Sequence, residues 1–167
     1  MILLRLIDKF FPPNIVYAHC DVPCGIYDPH EAQMAAYTVL RMTQMIMELK
    51  ASSEDPVFDE RKKIISQIAR LTKVKEDHAE VVKHQVRVIW GDYFKPEHLT
   101  NYKNLHDLVF KIMKQASSAK QNVDVKACQD LIANVQKFAE NFWESKGRKT
   151  VRISSGYPTE GELILPQ

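Results

Sequence analysis

Four stretches of this sequence repeat apolar residues at steps of three and four, and this periodicity constrains the fold more than any other feature. Such spacing lines up apolar side chains on one face of an α-helix. The first stretch begins at Asp28, which suits the N-cap, with Pro29 at the first helical position and Glu31 completing a capping box. Its apolar positions are Ala35, Ala36, Val39, Leu40, Ile46, Met47 and Leu49. The break from Ser52 to Pro56 ends this helix.

Three further helices follow the same pattern. The second runs from about Pro56 to about Trp90, the third follows Lys95-Pro96, and the fourth stops near Gly147. The apolar positions of the second are Ile64, Ile65, Ile68, Ala79, Val82, Val86 and Ile89. Four amphipathic helices with short links predict an all-α, up-down four-helix bundle within residues 19–147. Residues 148–167 contain Gly, Pro and Ser without a helical period, and they predict an extended C-terminal tail that packs on a neighbouring subunit or stays mobile.

Charge and composition exclude several classes of protein. The formal net charge of +2 is too small for a nucleic-acid surface or a polybasic membrane anchor. No apolar run reaches the roughly 18–20 residues that cross a bilayer. Residues 1–18 begin apolar, but Arg5, Asp8 and Lys9 interrupt them and Pro12-Pro13 break any helix. We therefore expect a short cleaved propeptide rather than a secretory signal, and a cytoplasmic protein without membrane or nucleic-acid partners.

The segment before the first helix, residues 19–29 (HCDVPCGIYDP), concentrates potential metal ligands. It holds one imidazole and two thiols, from His19, Cys20 and Cys24, within six residues. Thiolates with imidazole select late transition metals. From spacing alone, three other interpretations stay open: a local disulfide, half of a structural zinc site, and a redox-active cysteine pair.

Three motifs resemble the nickel-containing superoxide dismutase family. His-Cys-Asp-x-Pro-Cys-Gly-x-Tyr-Asp-Pro at 19–29 is similar to its signature at every fixed position. The stretch 83–96 (KHQVRVIWGDYFKP) and the Phe-Trp-Glu at 142–144 are also typical of these enzymes. The resemblance covers residues 19–146. It implies a four-helix bundle, a homohexamer, and conversion of superoxide to O₂ and H₂O₂ by nickel cycling between Ni(II) and Ni(III).

The resemblance also assigns the metal site. A processing protease would cut between Ala18 and His19, because only a free α-amine at His19 can bind the metal as the family does. The implied nickel ligands are the amine and imidazole of His19, the backbone nitrogen and thiolate of Cys20, and the thiolate of Cys24. We call residues 19–29 the hook. Square-planar nitrogen and sulfur coordination suits Ni(II).

Further roles follow from the same resemblance. Tyr27 is similar to the tyrosine that guards the vacant face of the metal, Tyr93 to a second tyrosine hydrogen-bonded nearby, and Asp21 helps to fix the hook. The family also holds the axial imidazole with a Glu paired to an Arg, and gap-free counting places Ala35 and His78 at those positions. We hypothesise that His78 or a nearby backbone carbonyl takes over this role.

Two non-enzymatic alternatives remain at this level. One is a nickel- or copper-binding helical carrier with the same hook, and the other is a structural bundle in which Cys20 and Cys24 form a disulfide. A tyrosine beside the thiols and a cleavable leader favour the enzyme. The third cysteine, Cys128, lies on the apolar face of the fourth helix and is predicted to be a buried thiol. His84, His98 and His106 are predicted to lie at the surface or at an interface.

Overall fold

The computed structural model describes residues 25–167, and these form the predicted four-helix bundle. The helices are α1 (His30–Glu48), α2 (Phe58–Val88), α3 (Leu105–Gln121) and α4 (Val125–Ser145). A five-residue π-helix (Ile89–Tyr93) follows α2 directly, and a 3-10 turn (Pro96–Thr100) precedes α3. A two-stranded antiparallel sheet, β1 (Thr150–Ser154) with β2 (Glu162–Pro166), ends the chain.

Cross-helix contacts establish the up-down order. The first turn of α1 meets the last turn of α2, where Gln85 Nε2 donates to Glu31 Oε2 at 2.6 Å. The end of α2 meets the start of α3, where Trp90 Nε1 donates to His106 Nδ1 at 2.9 Å. Helices α1 and α4 also pack together and close the four-membered ring. Each helix is therefore antiparallel to its neighbours in the sequence.

The start of α1 differs from the prediction in its capping. The helix begins at His30, and Pro29 precedes it without a side-chain cap of its own. The Asp28 carboxylate still accepts the His30 backbone N–H, at 2.8 Å. The predicted capping box is wrong, because the Glu31 carboxylate is turned to Gln85 on α2. A cross-helix hydrogen bond has replaced a local one.

Burial in α2 is confined to its second half, which also differs from the prediction. Its buried residues are Lys75, Ala79, Val82 and Val86. Ile65 and Ile68, predicted to face the core, are 66% and 39% exposed. At about 1.5 Å per residue, the 31 residues of α2 make it far longer than the 17 residues of α3. The first half of α2 therefore projects beyond the bundle, and periodicity alone could not show where the partner helices end.

The core contains the predicted buried thiol. Cys128 is fully buried and unpaired, and its Sγ lies 3.4 Å from Thr43 Oγ1 on α1. Burial raises the pKa of this thiol. Lys75 is also buried, and its ammonium donates to the backbone carbonyl of Asn122 at 2.6 Å. That carbonyl lies at the C-terminal end of α3, where the helix dipole favours a cation.

The C-terminal segment is a hairpin docked on its own chain. It has no helical period, as predicted, and it is docked rather than free, while its packing on a neighbouring subunit stays a prediction. Gln33 of α1 holds β2 at both polar atoms of its amide: Nε2 donates to the Ile164 carbonyl at 3.0 Å, and Oε1 accepts the Ile164 N–H at 2.8 Å. Tyr37 and Gln136 both donate to the Glu162 carbonyl, at 2.7 and 2.6 Å. These buried polar side chains specify the docking site more closely than apolar contact would.

Candidate metal centre

Tyr27 and Tyr93, two of the predicted site residues, lie against each other. Tyr27 is 9% exposed, and its ring centroid is 5.9 Å from that of Tyr93, with the planes tilted by 56°. The two residues are far apart in the sequence. Their contact places the start of the described chain, at Gly25, beside the end of α2. The hook therefore joins the bundle at a pair of tyrosines.

The π-helix after α2 positions Tyr93. The Phe94 N–H donates to the Ile89 carbonyl, a five-residue step that turns the ring of Tyr93 towards α4. The Ser145 hydroxyl donates its hydrogen to the Phe142 carbonyl at 2.6 Å. Because that hydrogen is used, the contact of 2.9 Å between Tyr93 Oη and Ser145 Oγ must have Tyr93 as the donor. Single π-helical turns inside longer helices are frequent at functional sites. The end of α4 thus fixes the phenol of Tyr93.

Two residues beside Tyr93 were not predicted as site residues. His98 stacks on the Tyr93 ring at a centroid distance of 5.6 Å, and its Nδ1 accepts the Lys95 backbone N–H at 2.9 Å. It is half-buried rather than fully exposed. Lys146 places its ammonium over the rings of Phe142 and Tyr93, at 4.7 and 5.4 Å. The short spacing from Lys95-Pro96 to His98 was the one sequence signal for this arrangement.

A cavity of about 430 Å³ lies between α1, α2 and the turn of the hairpin. The two positions that depart from the family pattern, Ala35 and His78, both line it, as do Glu31 and Tyr157. His78 Nδ1 lies 2.8 Å from the Val74 carbonyl. A neutral imidazole that donates from Nδ1 leaves Nε2 as an acceptor. The structure therefore brings the two departing positions together in one cavity and leaves one ring nitrogen of His78 available.

The remaining predicted site residues, His19, Cys20, Asp21 and Cys24, lie outside the described residues. Within residues 25–167, no group of three or more His, Cys, Asp or Glu side chains is arranged to hold a metal ion. The hook sequence itself contains one imidazole and two thiols that can bind a metal ion. This set of ligands fits nickel and other late transition metals.

Comparison with known proteins decides between the open interpretations. The profile of the family described as nickel-containing superoxide dismutase matches residues 14–146, which include the entire hook. This chain belongs to the nickel-containing superoxide dismutase family. Residues 147–167, with the docked hairpin, lie outside the matched range.

Relatives and solved structures agree with this assignment. The nickel superoxide dismutases of Streptomyces coelicolor and Streptomyces seoulensis are each 37% identical over 142 residues, which covers 84% of this chain and 98% of theirs. A native nickel superoxide dismutase structure at 1.30 Å matches with a TM-score of 0.63 and 36% identity, over 77% of this chain and 99% of that one. A structure with the nickel ligation of the oxidised state gives 0.64 and 34%.

No helix within residues 25–167 has the length and apolar character needed to cross a bilayer.

Proposed function

We propose that this chain is a superoxide dismutase that binds nickel through His19, Cys20 and Cys24 once residues 1–18 have been removed. The observation that carries the proposal is the family match, which spans the hook and nearly the whole bundle. The tyrosine pair supports it, because Tyr27 and Tyr93 meet where the hook joins the bundle.

The hook supplies the ligands. Its two thiolates, an amide nitrogen and the α-amine of His19 are strong donors that stabilise a higher oxidation state, and the His19 imidazole completes the set. When bound, nickel supplies a one-electron couple between Ni(II) and Ni(III), by which one superoxide is oxidised to O₂ and a second is reduced, with two protons, to H₂O₂. Metal binding requires deprotonated thiols, so nickel uptake should weaken as pH falls.

The described residues shape access to the hook. Tyr27 and Tyr93 guard the open side of the site, and the role of Asp21 in fixing the hook is carried over from the family resemblance alone. The Tyr93 phenol is held by Ser145, and its ring is held between His98 and Phe142 at centroid distances of 5.6 and 4.8 Å. A tyrosine ring fixed in this way leaves room for a small anion and keeps larger reductants away from the thiolates.

His78 is our candidate for orienting the His19 imidazole. Its Nδ1 is occupied by the Val74 carbonyl at 2.8 Å, and the ring lines the cavity that Ala35 leaves open. Ligand imidazoles in metal sites usually donate their second N–H to a fixed acceptor. Replacing His78 by Ala should lower activity and change the spectrum of the oxidised nickel. The matched control is His84→Ala, at an exposed position on the same helix. An unchanged spectrum in His78→Ala would exclude this role.

A homohexamer, a processing protease and a cytoplasmic location complete the proposal. The projecting half of α2 supports assembly, because Phe58, Ile65 and Ile68 are 72%, 66% and 39% exposed. Large exposed apolar residues grouped on one surface mark protein interfaces. Light scattering of the processed protein should give the mass of a hexamer, and a monomeric mass would contradict the assembly without affecting the chemistry.

The activity is tested on one sample co-expressed with a processing protease and nickel. Pulse-generated superoxide should decay faster in its presence, and the rate should depend on the nickel content. A Cys24→Ser variant of the same chain is the control for the metal site. Nickel-loaded protein that leaves superoxide decay unchanged would indicate a nickel carrier instead.

A further inference from the structure

A second cavity, of about 480 Å³, lies between the start of α3 and the second half of α4. Its volume falls within the range of about 300–1,000 Å³ that is usual for small-molecule sites. Leu105 and Leu108 of α3 contribute an apolar surface, and the rest of the lining is carboxamide, phenol and charged groups. The cavity shares no lining residue with the one beside Ala35 and His78. An apolar surface with a few convergent polar groups is the usual composition of a ligand site.

The carboxamide of Asn141 lines this cavity without a partner. Asn141 lies on α4 and is only 9% exposed. Its side chain forms no hydrogen bond with any other group within residues 25–167. Buried polar side chains in native proteins are mostly hydrogen-bonded, so an unpaired one calls for an explanation. The carboxamide offers one acceptor oxygen and two donor hydrogens, which a molecule bound in the cavity would use.

Two opposite charges also line the cavity without an ion pair. Lys103 and Glu144 are both exposed, and neither forms a salt bridge in the described part of the chain. Lys137 lines the cavity too, but its ammonium lies 3.2 Å from the Glu140 carboxylate. Lys103 and Glu144 therefore leave one unmatched positive and one unmatched negative charge at the same cavity.

The start of α3 favours an anion beside Lys103. Asn104 precedes the helix and provides no side-chain cap. The first N–H groups of a helix have no acceptor inside it, and with the helix dipole they attract negative charge. Asp107 belongs to the same turn but does not line the cavity. Burial raises the pKa of the Tyr102 phenol, and the negative charge of Glu144 raises it further, so this phenol stays a hydrogen-bond donor.

We propose that this cavity binds a small zwitterion of the α-amino acid class with an apolar side chain. The ligand carboxylate accepts hydrogen bonds from Lys103 and from the N–H groups at the start of α3, and the ligand ammonium donates to Glu144. The carboxamide of Asn141 completes the polar contacts. The apolar side chain of the ligand packs on Leu105 and Leu108. This inference is independent of the proposed function, because it involves neither nickel nor the hook.

The probe is L-leucine, added to the ¹⁵N-labelled full chain. Saturable shifts of the Leu105 and Leu108 amide signals should give a Kd of about 1 mM or below, as expected for so small a ligand. N-acetyl-L-leucine lacks the ammonium group, and L-leucinamide lacks the carboxylate. Each should bind at least about tenfold more weakly, because a charge-assisted hydrogen bond is lost. The absence of a saturable shift with L-leucine would overturn the proposal. Equal binding of N-acetyl-L-leucine would also overturn it and would indicate a simple anion site.

Substitutions separate the two charges. Lys103→Met should weaken L-leucine about tenfold and leave L-leucinamide unchanged, whereas Glu144→Gln should weaken L-leucine and leave N-acetyl-L-leucine unchanged. Asn141→Leu, a change of similar side-chain volume, should weaken L-leucine as well. The matched control is Lys111→Met, at an exposed position of α3 that does not line the cavity. Equal affinity for L-leucine in the two lysine variants would overturn the site. Superoxide turnover is not measured here, so that failure would leave the dismutase assignment untouched.

Discussion

Replacing Gly161 by Ala should release the C-terminal hairpin from the bundle. Gly161 precedes β2 with φ +95°, a conformation that disfavours any residue with a side chain. A Cβ added there would lie 2.5 Å from Tyr37 Oη and 3.0 Å from Tyr37 Cε1. Tyr37 must then move, and it can no longer donate to the Glu162 carbonyl at 2.7 Å.

The cost of this change has two parts. A positive φ costs a residue with a Cβ about 1–2 kcal/mol. A buried hydrogen bond left unmade costs about 1–3 kcal/mol more. The substitution should therefore destabilise docking by about 2–5 kcal/mol. Gly156→Ala is the matched control, because its φ is +68° but nothing lies within 4 Å of the added Cβ. It should cost only the backbone part, about 1–2 kcal/mol.

Amide hydrogen exchange at Ile164 measures docking directly, since this N–H donates to Gln33 Oε1 at 2.8 Å. Exchange there should accelerate about thirtyfold or more in Gly161→Ala, and clearly less in Gly156→Ala. Helix content should stay unchanged in both variants. Equal acceleration in the two variants would refute the steric contribution of Tyr37, and unchanged exchange in Gly161→Ala would refute the docking described above.

Two further predictions concern pH. Burial lowers the pKa of Lys75 in the folded protein. Above neutral pH the unfolded chain therefore binds more protons than the folded one. Because of this difference, the free energy of unfolding should rise as pH increases towards the unfolded lysine pKa of about 10.4. Urea unfolding from neutral to alkaline pH should show this rise in wild type relative to Lys75→Met, and parallel profiles would contradict it. Burial raises the pKa of Glu140, but hydrogen bonds from Arg152 and Lys137 outweigh it and lower the pKa overall. The contact with Arg152 should thus stabilise the protein by about 0.5–1 kcal/mol above the unfolded pKa of about 4.3 and be lost as pH falls through the folded pKa. Arg152→Gln should lose this dependence of stability on acidic pH. Unfolding midpoints measured above and below about pH 4 would show the loss, and the same decrease in stability at low pH in the variant and in wild type would contradict it.

The bundle was predictable because helical periodicity is a local property. The presence of four helices, the end of the last one near Gly147 and the burial of Cys128 follow from spacing alone, whereas the start of α3 at Leu105, after the 3-10 turn, does not. The exposure of Ile65 and Ile68 does not, since it depends on how far the partner helices extend. Helical periodicity shows that one face of a helix is apolar, but it does not show whether another part of the same chain buries that face.

The hairpin was not predictable from local patterns. Its strands alternate too weakly to reveal a buried face, and only Leu163 and Ile164 are buried against the bundle. Its docking depends on Gln33 and Tyr37, which are distant in the sequence and read as ordinary helical residues. Polar side chains that pair across more than a hundred positions leave no short-range signal.

The candidate site divides in the same way. The ligand set of the hook stays a prediction, because it comes from the family resemblance and residues 19–24 lie outside the described part of the chain. The family resemblance singled out Tyr27 and Tyr93, and the structure places their rings 5.9 Å apart, while their roles towards the metal stay predictions. The stacking of His98 on Tyr93, by contrast, depends on three-dimensional packing and has no signal in the local sequence.

The measurement that tests the central claim most directly combines three results from one sample of processed protein. The N-terminal residue, the nickel content and the superoxide turnover are determined together after co-expression with a processing protease. We predict His19 as the first residue, equimolar nickel and rapid turnover. Processed protein with His19 first and nickel bound, but without turnover, would contradict the assignment as a dismutase and leave a metal-binding helical bundle.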